Sequence, residues 1–280
     1  MLFKMSRMKG SVIDNMRKSD LIFEIGEQLE IGKLDYKEKR FGDNSIITID
    51  IDNKLLSDMF QKPEGRYVTA RIADSNEQDE LTVQVIANEL KELIGKKDDS
   101  NQFKILVVGL GNKKITSDSL GPFVIEKINT GKIGNRISVC SIAPGVFHQT
   151  GMETADITKG LVSELNIDCV IAVDSLVASK SKSLNEVIQM SDTGINPGEG
   201  IGNCAKPIDK KNIGVPVICV GVPTVVSVET LVEDYGVANI EEESKYLYMT
   251  PKDEDVSIKA KSELVARIIN KACAKMSNTY

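Results

Sequence analysis

From Phe103 onward, apolar runs of strand length alternate with amphipathic segments, and this alternation constrains the fold more than any other feature of the chain. Most of the apolar runs are followed by a segment whose apolar residues recur at helical spacing. The strand-like runs are FKILVVGLG, RISVCSIAPG, DCVIAVDSL and VPVICVGVPT, SLNEVIQMSDTG is extended, and the helical segments are SLGPFVIEKIN, METADITKGLVSELN, TVVSVETLVEDYG and ELVARIINKACAKM. Strands that are apolar on both faces and alternate with helices indicate an α/β fold, with a largely parallel sheet and flanking helices.

The preceding part of the chain has a different pattern, which predicts an N-terminal extension. Apolar and polar residues alternate over residues 44–52 and again over residues 66–74, as in strands with one buried face. Over residues 76–94 the apolar residues return to helical spacing, and a glycine follows as a natural helix stop. We therefore expect a single domain, in which residues 21–100 form an α+β extension of an α/β core over residues 101–280.

Charge and hydropathy argue against two classes of partner. The chain has 35 Lys and Arg against 41 Asp and Glu, a net charge of −6 and a pI near 5.1, whereas a nucleic-acid-binding protein presents a basic surface to phosphates. No stretch approaches the roughly 18 apolar residues of a membrane span, and the N-terminus lacks the apolar run of a secretory signal. We expect a cytoplasmic protein with neither nucleic acid nor membrane as a partner.

The histidine and cysteine content limits the catalytic chemistry. His148 is the only histidine, so one chain has no two-histidine metal site, and a Ser-His-Asp triad would have to use this residue, which we interpret as an ordinary loop residue. The 5 cysteines are scattered without a C-x-x-C pair, which argues against a disulfide framework or a zinc ribbon and favours buried thiols. Acid–base chemistry would then rest on carboxylates.

Two aspartates stand where strands of the predicted sheet end. Asp118 follows the strand that ends in G-L-G, just before a predicted helix, and Asp174 closes the run DCVIAVD. Because the carboxyl ends of parallel strands lie at one edge of a sheet, the two acids are expected to converge across a crevice. Neighbouring carboxylates repel, so one keeps its proton while the other ionises, and such a pair can activate water and protonate a leaving amine. Taken alone, Asp118 also fits a simple helix N-cap.

Two further motifs have simpler interpretations. A dinucleotide-binding loop after the first strand requires a third glycine where Lys114 stands, so we interpret the G-L-G as a tight turn. The D-T-G at Asp192 matches pepsin-like proteases, which bring two such motifs together on a β-rich fold. Here one copy stands in α/β surroundings, and we interpret it as a loop that lines the site.

Six blocks of sequence together resemble the germination proteases of spore-forming bacteria. In order, they are GLGNKKITSDSLGP, PGVFHQTGMETADI, IAVDSL, QMSDTGINPGEGIGN, GVPVICVGVPTVV and MTPKDEDV. Each block alone is moderately specific, and their order makes the resemblance specific from about Gly109 to the C-terminal helix. The strand, G-x-G-N and acid that open the core are also similar to those of hydrogenase maturation endopeptidases, which implies a similar core fold.

The resemblance implies an activity, a site and a setting. It implies an atypical aspartic endopeptidase, made as a zymogen during sporulation, that begins the degradation of small acid-soluble spore proteins in the germinating spore. The essential acids of the family match Asp118 and Asp174, which the strand-end argument also selects. The resemblance further implies that no metal or other cofactor is needed and that the enzyme is a homo-oligomer, a tetramer by analogy with the family.

The same resemblance gives the N-terminal segment a role. The family removes a short propeptide by self-cleavage after an acidic residue, ahead of a short apolar segment, and the sequence SDLIF has that form. We predict cleavage between Asp20 and Leu21, with residues 1–20 as the propeptide and residues 21–280 as the protease. The segment removed carries five basic residues against two acidic ones, so we expect a cationic arm that blocks the crevice and keeps both acids ionised.

Two other functions remain open at this point. In a metal-binding maturation peptidase, Asp118 and Asp174 would hold a divalent ion, with His148 as the histidine ligand. In a binding module on the same fold, the site would bind a peptide or a nucleotide without cleaving it.

Overall fold

One mixed sheet runs through the part of the chain that the computed structural model describes, which comprises residues 19–29, 36–73, 79–95, 102–202, 205–236 and 247–277. Its strands are β1 (Lys37–Phe41), β2 (Asn44–Ile51), β3 (Gly65–Arg71), β4 (Phe103–Gly109), β5 (Gly131–Ile133), β6 (Ile137–Ile142), β7 (Cys169–Ala178), β8 (Val187–Ser191), β9 (Val217–Ser227) and β10 (Tyr248–Met249). The helices are α1 (Ile22–Gln28), α2 (Lys54–Phe60), α3 (Glu80–Ile94), α4 (Leu120–Ile125), α5 (Phe147–Thr150), α6 (Thr154–Leu165), α7 (Lys210–Ile213), α8 (Val228–Asp234) and α9 (Glu254–Ser277).

The strand order combines a parallel core with an antiparallel half. The order is β1-β2-β3-β8-β9-β7-β4-β6-β5, and β10 pairs with the end of β9. The neighbouring strands β9, β7, β4 and β6 are parallel to one another, whereas β3, β8 and β9 pair antiparallel. The predicted α/β class is confirmed. The N-terminal extension joins the same sheet through the β3–β8 pairing.

Helices cover the two faces of the sheet unequally. On one face, α3, α4 and α9 pack over a continuous core that includes the fully buried Ile105, Ile171 and Ile268. The other face carries two separate apolar clusters, one around Leu21 with α1 and α2 and one around Leu106 with α6 and α7. Ile195 packs against both clusters. The space between them is where the candidate site lies.

Several elements differ from the predicted ones in extent. The segment 224–227, predicted as the start of a helix, continues β9, because Val226 and Ser227 pair with β10, and α8 begins only at Val228. The final helix begins at Glu254, earlier than its apolar spacing indicated. Helix α1 and strand β1 were not predicted, because their sequences are too short to show a period.

The remaining expectations concern thiols and membranes. Cys140, Cys169, Cys219 and Cys273 are free, and burial raises the pKa of the Cys169 and Cys273 thiols to about 12. Cys204 and residues 1–18, with the basic part of the predicted arm, lie outside the described residues. Within the described ranges, no helix is both long and apolar enough to cross a membrane.

Candidate active site

A cavity of about 490 Å³ opens between the two apolar clusters, and both predicted acids line it. Asp118 reaches it from the turn after β4, and Asp174 from β7, the strand paired with β4. The last residue of β4, Gly109, pairs with Val173, so Asp174 is the first residue of β7 beyond that end. The two acids therefore line one cavity, as the strand-end argument predicts.

Asp118 is held by a close approach of two chain segments. It ends a short 3₁₀ turn, Thr116–Asp118, and its Oδ2 accepts a hydrogen bond from the Asn112 N–H at 2.8 Å. Gly111 has φ +104°, and a Cβ there would lie 2.1 Å from the Asp118 carbonyl oxygen. The glycine turn thus serves to place Asp118. The carboxylate bonds to the loop before it, whereas an N-cap would accept from the helix that follows.

Asp174 lies inside a strand. Strand β7 continues to Ala178, so the prediction that the strand ends at the acid was wrong. The residues after Asp174 pair with β9 as far as Val226, and this longer pairing extends the strand. Asp174 is 6% exposed, and its Oδ1 accepts from the Ser175 N–H at 2.9 Å.

The surroundings give the two carboxyls different affinities for a proton. Burial, followed by the negative charges of Asp118 and Asp20, raises the pKa of Asp174 well above its ordinary value. Burial also raises the pKa of Asp118, while the hydrogen bond from Asn112 opposes the rise. As the pH increases, Asp118 therefore ionises first and Asp174 keeps its proton longer.

A third carboxylate, that of Asp20, lines the same cavity. The Asp20 N–H donates to the Val177 carbonyl at 2.9 Å, and the Val177 N–H donates to Asp20 Oδ2 at 2.9 Å. Lys62 Nζ lies 3.6 Å from Asp20 Oδ1. Gly200 leaves room for this carboxylate, because a Cβ there would lie 2.5 Å from Asp20 Oδ2. The predicted cleavage point thus lies at the cavity that the two acids line.

Sequence reasoning missed two polar side chains that hold this segment. Lys62 follows α2, and Gln189 in β8 bonds to both Asp20 and Ile22. Lys62 stands in no motif, and both side chains reach the cavity only because the fold brings distant segments of the chain together. The Q of the block QMSDTG was the one available signal for Gln189.

The other candidate residues lie outside the reacting centre. Asp192 is exposed, and its Oδ1 accepts from the Arg66 N–H at 2.8 Å, whereas its neighbours Thr193 and Gly194 line the cavity. His148 lies on α5 and is also exposed. Across the described parts of the chain, no group of three His, Cys, Asp or Glu side chains is arranged to hold a metal ion.

Comparisons with known proteins agree on one family. A family model described as germination protease matches residues 14–241. Germination proteases of Clostridium acetobutylicum and Bacillus subtilis are 37% and 38% identical to this chain over 254 and 213 residues. One from Oceanobacillus iheyensis is 40% identical over 220 residues. These alignments cover 83%, 71% and 73% of this chain and 76%, 57% and 59% of the respective relatives.

Among solved structures, a [NiFe] hydrogenase maturation protease, HycI from Thermococcus kodakarensis, aligns with 65% of this chain and 98% of its own. The sequence identity is 17% and the TM-score is 0.36. A TM-score of this size does not by itself indicate a shared fold.

Proposed function

Because the chain belongs to the germination protease family, whose members are peptidases, we propose that it is an aspartic endopeptidase in which Asp118 and Asp174 carry out the hydrolysis. The observation that carries this proposal is their meeting in one cavity with unequal proton affinities. The chain spans 57% to 76% of the length of the relatives described above. Its substrates and partners are therefore part of the proposal.

The two acids divide the work according to their surroundings. Asp118, which ionises first and accepts a backbone hydrogen bond, is the general base that takes a proton from the attacking water. Asp174, which is buried and faces two other carboxylates, is the general acid that protonates the leaving amine. Activity then requires one ionised and one protonated carboxyl, and the rate falls on both sides of an optimum pH.

The cavity is suited to an acidic residue on the N-terminal side of the cleaved bond. Lys62 and the Val177 N–H hold the Asp20 carboxylate through a charge contact and a charge-assisted hydrogen bond. The described part of the N-terminal segment therefore occupies the site as a substrate would. The chain is a zymogen that cleaves itself between Asp20 and Leu21, with residues 1–20 as its propeptide and residues 21–280 as the protease.

The negative charge of Asp20 raises the pKa of Asp174, an effect opposite in sign to the one expected of a cationic arm. Occupancy of the cavity by Asp20 is therefore the inhibitory contact that the described residues support. After the propeptide with Asp20 is removed, the substrates are small acid-soluble spore proteins. The enzyme acts inside the spore, and its working form is a homo-oligomer.

Digestion of a purified small acid-soluble spore protein tests this function. The native chain should produce fragments, and the variants Asp118→Asn and Asp174→Asn should produce none. Asp192→Asn, which changes an exposed carboxyl outside the cavity lining, is the matched control and should cleave like the native chain. Fragments from either Asp118→Asn or Asp174→Asn would overturn the assignment of the acids.

A further inference from the structure

The side-chain amide of Gln189 spans the Asp20–Leu21 peptide bond. Its Nε2 donates to the Asp20 carbonyl oxygen at 2.7 Å, and its Oε1 accepts from the Ile22 N–H at 2.7 Å. These partners fix the orientation of the amide, because a carbonyl oxygen only accepts and a backbone N–H only donates. Gln189 is 8% exposed. A single buried side chain thus holds the backbone on both sides of the bond.

The sheet places Gln189 and Asp174 on the same face. Gln189 pairs with Gly221 across the antiparallel β8–β9 ladder, and Asp174 pairs with the same glycine across the parallel β7–β9 ladder. Paired residues of neighbouring strands point to one face, so both side chains enter the cavity from Cα atoms about 10 Å apart. The absence of a side chain on Gly221 lets Leu176 pack over it, since a Cβ there would lie 2.6 Å from Leu176 Cγ.

We infer that Gln189 is a catalytic residue that donates its Nε2–H to the carbonyl oxygen of the bond being cleaved. This inference rests on the proposed peptidase function. Hydrogen-bond donors aimed at an oxygen that gains negative charge in the transition state lower the barrier, and removal of one typically costs about 10²–10³-fold in rate. Val177 and Lys62 hold the side chain and the N–H of Asp20, whereas Gln189 binds its carbonyl oxygen, which is the atom that reacts.

The step balances with water as the only co-reactant. The water oxygen bonds to the Asp20 carbonyl carbon while Asp118 takes a proton from the water. The electron pair of the C=O bond moves onto the oxygen, to which Gln189 Nε2 donates. When that pair returns, the C–N bond breaks and Asp174 gives its proton to the Leu21 nitrogen. A carboxyl remains on Asp20, a free amine on Leu21, and proton exchange with solvent restores both acids.

The same donor serves later substrates, because the segment after the bond is anchored independently. Leu21 and Ile22 are 0% exposed, and the Glu24 carboxylate accepts hydrogen bonds from the Ser179 N–H and hydroxyl and from the Ser183 hydroxyl. The Ile22 N–H therefore continues to hold Gln189 Oε1 after cleavage. This contact keeps Nε2 directed at the position that the next carbonyl oxygen occupies, so the processed enzyme has a preorganised donor.

The rate of self-cleavage in the full chain, followed by intact mass, tests this role. Gln189→Met keeps the side-chain length and removes the donor, and it should lower the rate constant about 100-fold or more. Gln28→Met is the matched control. It removes a part-buried amide that donates to Ser179 Oγ at 3.2 Å and should leave the rate within about threefold. A folded Gln189→Met variant that cleaves at the native rate would overturn the inference while leaving the acid pair intact.

A second variant, Gln189→Glu, distinguishes a role of Gln189 as a hydrogen-bond donor from a purely structural role. It also tests the inference if Gln189→Met does not fold. A protonated glutamic acid donates and accepts as the amide does, whereas an ionised one has no donor. Relative to the native chain at the same pH, this variant should be most active at acidic pH and lose activity as the pH rises. A relative activity independent of pH would contradict the inference. Absence of cleavage by the native chain would instead overturn the proposed function on which it rests.

Discussion

At the scale of single residues, the site is built from carboxyl groups placed where they destabilise the folded chain. Asp174 is 6% exposed and faces the charges of Asp118 and Asp20, which raise its pKa. A carboxyl whose pKa is higher in the folded chain than in the unfolded chain stabilises the fold fully only below the unfolded value, near 3.9. That contribution is lost as the pH rises through the folded pKa. The proposed catalytic pair therefore lowers the stability of the folded chain at neutral pH.

Replacing Asp174 should therefore stabilise the protein while it abolishes activity. Asp174→Asn has no proton to lose, so its free energy of unfolding at neutral pH should exceed that of the native chain, by about 1.4 kcal/mol for each unit of raised pKa. The difference should shrink toward pH 4. Urea unfolding at the two pH values, with Asp192→Asn as the control, measures this effect. Equal stability at neutral pH would contradict the pKa assignment.

Lys62 should determine the preference for an acidic residue before the cleaved bond. Lys62→Met removes the cation that lies 3.6 Å from Asp20 Oδ1, and both side chains of this ion pair are 17% exposed. Its loss should cost an amount between those for exposed and for buried pairs, about 1.4–2.7 kcal/mol. Self-cleavage should slow by about 10-fold to 100-fold. Lys54→Met, which breaks the exposed pair with Asp58, is the control. An unchanged rate in Lys62→Met would exclude this role.

The residues of the site differ in how far the sequence predicts them. Asp118 and Asp174 are predictable because one follows an apolar run and the other is a lone acid within one, and both stand near the edge where the parallel strand β4 ends, although β7 itself continues to Ala178. Lys62 and Gln189 are not predictable in this way, because they come to the cavity only when β3 pairs with β8. At this pairing, the hydrogen bond from the Arg66 N–H to Asp192 joins residues 126 positions apart in the chain. No local pattern encodes that pairing.

At the scale of elements, the turn between β4 and α4 is the part that positions chemistry. Gly109 and Gly121 let the strand end and the helix touch, since a Cβ on Gly109 would lie 2.4 Å from the Gly121 carbonyl oxygen. Gly111 likewise allows the loop after β4 to approach the backbone of Asp118 closely. The sequence predicts this turn and its glycines but not its purpose, because a phosphate loop and a close crossing both require glycine.

Gly111→Ala should abolish activity through the position of Asp118. The added Cβ would meet the Asp118 carbonyl oxygen at 2.1 Å, whereas at Gly131, with a similar φ of +98°, nothing lies within 4 Å. Both alanine variants should lose about 1–3 kcal/mol of stability from backbone strain, measured by urea unfolding. Only Gly111→Ala should also lose peptidase activity, and equal activities in the two variants would contradict this account.

The lengths of elements are less predictable than their existence. Strand β9 extends through the segment predicted as helix because β10 pairs with it. Helix α1 forms although its period is too short to detect, because Leu21, Ile22, Phe23 and Ile25 are buried in one apolar cluster. In both cases, distant contacts decide the local conformation.

At the scale of the whole molecule, the N-terminal segment links folding to regulation. Asp20 lines the cavity, and the residues directly after it belong to the apolar core. The proposed cleavage between Asp20 and Leu21 would therefore release Asp20 from the site without removing core residues. The proposed division of the chain into a short propeptide and a larger protease is compatible with this arrangement, and α1 would stay in the processed form.

Removing the propeptide should raise activity at once. A chain that begins at Leu21 should digest a small acid-soluble spore protein without a lag, whereas the full chain should show a lag while it processes itself. A chain that begins at Ser19 retains Asp20 in the cavity and should also show a lag, which separates occupancy by Asp20 from an effect of the basic residues. Equal initial rates for all three chains would contradict the proposal that Asp20 inhibits the protease by occupying the cavity.

The most direct test of the central claim is the intact mass of the full chain after incubation alone, compared with Asp118→Asn and Asp174→Asn. We expect the native chain to lose the mass of residues 1–20 and to begin at Leu21, while both variants keep their full mass. Loss of the same mass from either variant would contradict the assignment of these two acids. Cleavage of the native chain at another bond would contradict the proposal that the site recognises Asp20 on the N-terminal side of the cleaved bond.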